Sequence, residues 1–235
     1  MGTLFIIATP IGNLGDVTYR AIECLRGLDV LFCEDTRVSQ RLLERYEIRV
    51  PLESYREEVH RQRLGRVLEF LREGKKVGFV SDAGTPGVSD PGSWLVREVL
   101  DAEPETAIVP IPGPSAVAAV LSASGFPSDE YVFLGFPPHK KGRQAFFREA
   151  MAQPRTAVIY ESTHRIFKAL EAIAALDPER RLCVGRELTK MHETLYRGKV
   201  AEVTAALQGT SSKGEFAIVI DRDRSKKERP NAEEL

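Results

Sequence analysis

Cysteine is scarce in this chain. Its 235 residues hold three, Cys24, Cys33 and Cys183, each alone and with no CxxC pair. That excludes a disulfide framework and a Cys-rich zinc site, and it fits a reducing compartment in which free cysteines are ordinary buried residues. Excess charge is absent as well. Lys and Arg number 33 against 34 Asp and Glu, a formal net charge of −1. No global field therefore draws the chain to nucleic acid or membrane, and an anionic partner must be met by a local patch. No apolar run approaches the roughly 18 residues of a membrane span. The opening MGTLFIIATPIG has too short an apolar run for a secretion signal, and no basic segment precedes it. The expectation is a cytoplasmic protein with no membrane partner.

Several signatures are missing. There is no GxGxxG and no GxxxxGK[ST], which counts against a dinucleotide-binding dehydrogenase and a P-loop NTPase. There is no HExxH and no GxSxG elbow. His60, His139, His164 and His192 stand alone, so no metal is expected.

What is present is ordinary globular material: 43% hydrophobic and 29% charged residues, enough for a core without staples. The first half alternates short β-rich runs (TLFIIAT, DVLFCE, KKVGFVS, TAIVPI) with helical patterns (VTYRAIECLRGL, SQRLLERY, EEVHRQRLGRVLEFLREG, GSWLVREVLDAE, PSAVAAVLSASG). Strands alternating with helices predict a parallel sheet with crossovers, an α/β fold. The second half reads EYVFLGF, RTAVIYE, RLCVGRE and EFAIVIDR as strands and QAFFREAMA, HRIFKALEAIAAL and VAEVTAAL as helices, with room for a hairpin in LTKMHETLYRGK. SASGFPSDE is the natural joint. The division expected is therefore 1–125, 126–224, and a polar, disordered tail over 225–235.

Three loops following strands share one character: TPIGNLGD (Thr9–Asp16), SDAGTPGVSDPG (Ser81–Gly92) and PIPGPSA (Pro110–Ala116). The second packs three Gly, two Pro and two Asp into twelve residues. Glycine permits close backbone approach and positive φ, while proline fixes φ. In parallel sheets ligands sit beyond the carboxyl ends of the strands, near the reversal of strand order. Such loops suit a polar small molecule with adenine or ribose, read by main chain. The plain alternative is a set of tight connections. Asp90 before Pro91 reads as a helix N-cap with proline at the first helical position.

The motifs ATPIGNLGD, EDTR, SDAGTPGVSDPG, IPGPSA, GFPP, YESTHR and ELTKMHE, in this order, resemble those of the small-subunit ribosomal RNA methyltransferases of the tetrapyrrole methylase superfamily. The resemblance runs from Met1 to about Arg222. It implies two α/β domains with S-adenosylmethionine (AdoMet) in the cleft between them, a homodimer, and methyl transfer to the ribose 2′-oxygen of a cytidine in 16S rRNA. Carried over by motif, Pro10, Asp82, Ala83, Gly84, Thr85, Ser115 and Ala116 are expected to line the AdoMet site. Tyr160, Ser162 and Phe216 are expected to approach it from the second domain. Two departures stand out. Thr163 replaces a proline common in the family, which implies a looser turn, and longer relatives carry a further C-terminal segment. Two other readings share the loops: a tetrapyrrole methyltransferase of the same fold, and a non-catalytic AdoMet-binding protein associated with RNA.

A ribose hydroxyl is a weak acid, so a base or an alkoxide-stabilising cation would help its reaction. The polar residues left once the cofactor is placed are Asp35, Glu161 and Lys190. Asp35 or Glu161 could accept the proton. Lys190 could stabilise the alkoxide, or act as a base if burial depresses its pKa. The structural alternatives are an Asp35–Arg37 ion pair and a Glu193 partner for Lys190. For RNA, either the 16S rRNA itself or the small ribosomal subunit, the candidates are Arg37 and Arg41 and the loop residues Lys140, Lys141 and Arg143. Arg45, Arg49, Arg56, Arg61, Arg63 and Arg66 extend the first patch. The alternative is a solvated helix face laced by i,i+4 pairs. No RNP-type aromatic platform is present, so recognition is expected to read a folded ribosomal context.

Overall fold

Short runs of β-branched and aromatic residues, too brief for helices, set the strands of the first unit. In the computed structural model, which describes residues 1–55, 60–90 and 92–222, the chain divides into two units, Met1–Ser115 and Ala116–Leu235. The first holds β1 (Thr3–Ile7), α1 (Tyr19–Arg26), β2 (Val30–Cys33), α2 (Thr36–Arg45), β3 (Leu52–Ser54), α3 (His60–Arg72), β4 (Lys76–Val80), α4 (Gly92–Ala102) and β5 (Ala107–Ile111). Its sheet has the order β3-β2-β4-β1-β5, with every pairing parallel. The expected parallel sheet is therefore present. β3 was not expected: three residues with a single Leu carry no period, and pairing with β2 defines the strand.

Both faces of this sheet are covered, which is why its strands read as unbroken apolar runs. In β2, Val30 and Phe32 enter one core with Leu71, Phe79, Leu95 and Val99, while Leu31 and Cys33 enter another with Ala21, Leu25, Leu42 and Leu43. Gly78 interrupts β4 because a methyl there would collide with the Leu28 and Leu31 side chains. α3 ends as expected at Gly74, whose φ of 79° lets Lys75 N–H return to the Phe70 carbonyl at 3.0 Å.

The second unit contains α5 (Ala116–Ser124), β6 (Tyr131–Phe133), α6 (Arg143–Met151), β7 (Thr156–Ser162), α7 (Ile166–Leu176), β8 (Arg181–Arg186), β9 (Thr194–Lys199), α8 (Val200–Gln208) and β10 (Glu215–Ile220). Strand order is β6-β7-β10-β8-β9; only β6–β7 is parallel. Within LTKMHETLYRGK only Thr194–Lys199 is a strand, and it pairs with β8, so the hairpin lies between β8 and β9 rather than inside that stretch. Alternation along β10 sends Phe216, Ile218 and Ile220 to the core under α6, α7 and α8, and Ala217 and Val219 to the core under α5. α5 packs on this second sheet through Val117, Val120 and Leu121, so the division falls after Ser115 rather than after Gly125. No helix among the described residues is long and apolar enough to cross a membrane. The tail expected over 225–235, together with Arg56 and Pro91, lies outside the described residues, and nothing is described of the Arg61 side chain.

Because Gly78 is demanded by the space that Leu28 and Leu31 fill, Gly78→Val should lower stability by about 1–3 kcal/mol. Urea unfolding of Gly78→Val alone and combined with Leu28→Ala checks this; part of the loss should return in the pair.

Candidate functional site

The order of the first sheet reverses at β1 and β4. β1 leads away to β2 on one side, and β4 leads to β5 on the other, so the place where sheets of this kind take ligands lies beyond the carboxyl ends of these two strands. All three Gly/Pro loops meet there. Thr9 and Gly84 form a two-way main-chain bridge, Thr9 N–H to Gly84 O at 2.9 Å and Gly84 N–H to Thr9 O at 3.1 Å. The Thr9 hydroxyl donates to Ser81 O at 3.3 Å, and the Thr85 hydroxyl donates to Pro114 O at 3.1 Å. Gly84 needs its φ of 80°, and a Cβ there would press on Ile11 Cγ2 at 3.3 Å. At Gly113 a Cβ would stand 2.9 Å from that of Ala8. The edge is walled by backbone and small side chains, a cradle that larger residues would fill. Pro10 and Gly84 are buried in it, Asp82 and Ala83 are exposed, and Thr85 and Ser115 are half-buried.

The carboxylates at this edge organise loops. Asp82 accepts the Asp35 N–H at 2.9 Å, tying the loop after β4 to the one after β2. Asp35 is the N-cap of α2, accepting Arg37 N–H at 2.9 Å, and its other oxygen takes the Arg37 guanidinium at 2.5 Å. The Asp35–Arg37 ion pair is therefore formed, which occupies the carboxylate expected to take a proton. Asp90 accepts from Gly87 and from Gly92, the first residue of α4, each at 2.7 Å, the capping role expected of it. Glu34, beside Asp35, was passed over in the motif EDTR. Burial, with the Asp82 and Asp90 charges adding to it, pushes its carboxyl up to about 7. Its position directly after the apolar run VLFC was the available signal.

In the second unit the pairing register brings together the carboxyl ends of β6, β7 and β8 and the amino ends of β9 and β10. Tyr160, Glu161, Ser162, Lys190 and Arg143 all lie along this edge. Glu161 is fully buried, with Arg143 Nη2 at 3.0 Å on one oxygen and Arg165 Nε at 2.9 Å on the other. Oε1 also accepts the Ser162 N–H at 2.9 Å, so the carboxylate anchors the edge through both of its oxygens. Arg165 also donates to the Ser162 hydroxyl at 3.2 Å. Arg143 was expected on RNA. Its side chain is only 15% exposed, its charge is taken by Glu161, and its guanidinium lies over Phe147 at 5.0 Å.

Lys190 bridges Glu187 at 3.0 Å and Glu215 at 2.8 Å. Burial alone would lower its pKa, but the hydrogen bonds to Glu215 and Glu187 outweigh it and the pKa is raised. The condition for Lys190 as a base is not met; it is a held cation. Glu193 is not its partner and instead accepts Thr189 N–H. Phe216, 2% exposed, belongs to the core under α6–α8, so its side chain does not line the edge. Tyr160 faces the opposite side, with its phenol pushed up to about 12 by burial against the smaller opposing effect of the Val117 backbone. That contact places it at the first turn of α5, which Ala116 opens. The looser turn expected at Thr163 is absent. Its hydroxyl donates to Gly214 O at 2.6 Å and accepts Gly214 N–H at 2.7 Å, doing the bridging a proline could not.

Of the basic candidates, Arg41, Lys140 and Lys141 are exposed, as are Arg45 and Arg49. Arg37 is exposed but paired with Asp35. Arg63 and Arg66 lie near Glu53, each at 3.5 Å, and Arg66 also pairs with Glu69 at 2.6 Å, so that stretch is partly the laced helix face of the alternative reading.

A β-sheet edge of stiff loops that present backbone, joined in sequence to a mixed-sheet unit, defines a class. The family model of the Tetrapyrrole (Corrin/Porphyrin) Methylases matches residues 3–204, and the chain belongs to that family. Within it, the chain is similar to proteins named ribosomal RNA small subunit methyltransferase I. The one from Thermotoga maritima is 40% identical over 220 residues, covering 94% of this chain and 98% of the relative. The one from Escherichia coli O157:H7 is 41% identical over 231 residues, covering 97% and 80%. Among solved structures, the methyltransferase CobJ superposes with a TM-score of 0.70 at 19% identity over 98% of both chains, a likeness of fold.

Two outcomes follow from the charges. Glu161→Gln leaves two guanidinium groups facing a neutral amide, and should cost about 3–5 kcal/mol of stability in urea unfolding. Unchanged stability with a loss of rate alone would restore Glu161 as proton acceptor. Glu34 holds its proton more tightly folded than unfolded, since its carboxyl is raised to about 7. Its contribution to stability is thus present below the ordinary carboxylate range and is lost as pH rises through about 7. Urea midpoints measured across that range should fall less steeply in Glu34→Gln than in the parent.

Proposed function

We propose that this chain is an AdoMet-dependent methyltransferase acting on the ribose 2′-oxygen of a cytidine in 16S rRNA, in the cytoplasm and as a homodimer. The observation that carries the reading is the meeting of the three Gly/Pro loops through the Thr9–Gly84 bridge and the Thr85–Pro114 bond. The relatives' names supply the RNA, and the motifs supply the ribose and the dimer. Identities of 40% and 41% to proteins named for the small-subunit ribosomal RNA favour RNA over a tetrapyrrole as substrate.

When bound, AdoMet supplies an activated methyl group on a sulfonium. Pro10, the main chain of Asp82–Thr85 and Ser115, all of the first unit, would hold it. Stiff loops lose little entropy on ordering and orient a bound group, which is where much of the rate of such a transfer comes from. Lys190 remains charged at neutral pH, with two of its three N–H groups on Glu187 and Glu215, and offers the third to an ionising hydroxyl. A cation beside a hydroxyl lowers its pKa, so the proton can leave to water without a dedicated base. Asp35 and Glu161 act as positioning residues, Asp35 through the cap of α2 and Glu161 through Arg143 and Arg165. Arg41, Lys140 and Lys141 meet phosphates.

Transfer of a tritiated methyl group from AdoMet to purified small ribosomal subunits tests this. The expected product is 16S rRNA labelled at one cytidine, resistant to alkaline cleavage 3′ to that ribose. Label on a base, or transfer only to a tetrapyrrole, overturns the assignment.

A further inference from the structure

The segment from Leu134 to Gly142 crosses the carboxyl ends of β6 and β7, and it is fastened along its length. Tyr160 N–H donates to Gly135 O at 3.0 Å, where Gly135 turns with a φ of 68°. Arg165 Nη1 donates to Pro137 O at 3.2 Å, and Arg143 Nη1 reaches Pro138 O at 3.5 Å. Both guanidinium groups are fixed by the buried Glu161. Two prolines and two anchored arginines make this a stiff loop, preorganised for whatever it meets.

On that loop Phe136 is 50% exposed. Its ring is backed by Tyr160 at 5.4 Å between centroids, and Tyr160 is backed in turn by Phe133 at 4.8 Å. The series runs from a half-buried ring outward to one facing water. His139, Lys140 and Lys141 follow within the same loop and are exposed, and no ion pair joins either lysine to a carboxylate among the described residues. An aromatic face held rigidly in solvent beside two available ammonium groups matches the chemistry of a single-stranded nucleotide, which offers a π-face and a phosphate together. A duplex would hide the base face, and a protein partner would leave the two cations without complementary charge.

We propose that Phe136 stacks on an unpaired nucleobase of the substrate RNA while Lys140 and Lys141 hold its neighbouring phosphates. The site differs from an RNP sheet surface in being a single loop ring with its own backing. It rests on RNA being the substrate, and it adds that part of the RNA is held single-stranded at this loop.

The test measures binding of the full chain to small ribosomal subunits and to a short single-stranded RNA oligonucleotide, alongside AdoMet affinity by calorimetry. Phe136→Ala should weaken RNA binding about 5- to 100-fold, in line with loss of one base stack, and leave AdoMet affinity unchanged. Phe136→Leu keeps the bulk without the π-face and should bind as weakly as Phe136→Ala; recovery by Leu would mean plain packing and overturn the proposal. Phe136→Trp, placed in a Trp94→Phe background, should retain RNA binding and show fluorescence quenching when the oligonucleotide is added. Lys140→Ala with Lys141→Ala should lower the slope of log affinity against log salt by about 1.4, the single-strand value for two phosphate contacts. Loss of AdoMet affinity in Phe136→Ala would assign the ring to the cofactor and overturn the proposal, as would RNA affinity equal to the parent's. Failure of the parent chain to methylate subunits would instead sink the activity. A parent that methylates while Phe136→Ala binds RNA normally sinks only the stack.

Discussion

The first unit depends on one main-chain contact, the two-way bridge between Thr9 and Gly84. Loops at a strand end carry polar backbone groups that must be satisfied, and side chains would normally do part of that work. Here the loops satisfy one another, through the bridge, through Thr9 to Ser81 and through Thr85 to Pro114. The consequence is an edge that is stiff without being filled. Gly84 and Gly113 are required because Ile11 and Ala8 stand where a side chain would go. Asp82 extends the arrangement by accepting from Asp35, which sets the start of α2. A loop chemistry chosen for closeness thus carries through to the position of a helix.

The second unit meets the same problem with charge. Glu161 sits at the end of β7, beside the starts of α6 and α7, and takes Arg143 and Arg165, one on each oxygen. A buried carboxylate is tolerable only when paired and hydrogen-bonded, and breaking such a set leaves uncompensated charge. From these two arginines the order spreads outward to Pro137, Pro138 and Ser162. Thr163 performs a comparable service in neutral form, closing both backbone groups of Gly214 with one hydroxyl. Lys190, held by Glu187 and Glu215, stays charged because the hydrogen bonds of its partners outweigh its burial.

Much of the architecture was legible in residue order. Apolar runs separated by helical periods implied a parallel sheet with crossovers, and the sheet of the first unit is parallel throughout. The Gly/Pro loops announced a backbone-lined edge, and their motifs carried the family. β3 was not legible, because Leu52–Ser54 becomes a strand only by pairing with β2. Nor was the allegiance of α5, whose apolar residues would suit either sheet until Val117, Val120 and Leu121 met those of β7, β8 and β10.

The roles of the polar residues divide along the same line. Sequence by itself determined which groups lie at the strand ends, since a motif that follows a strand must sit at its edge. It determined that Asp90 could cap, because capping is a local event between near neighbours. Tertiary structure alone decided what each charge faces. Arg143 turned from phosphate to Glu161, Phe216 turned into the core, and Glu34 emerged with a carboxyl raised to about 7. The reason is physical: an ion pair, a desolvation or an open ring face is fixed by groups far apart along the chain, and periodicity carries no record of them.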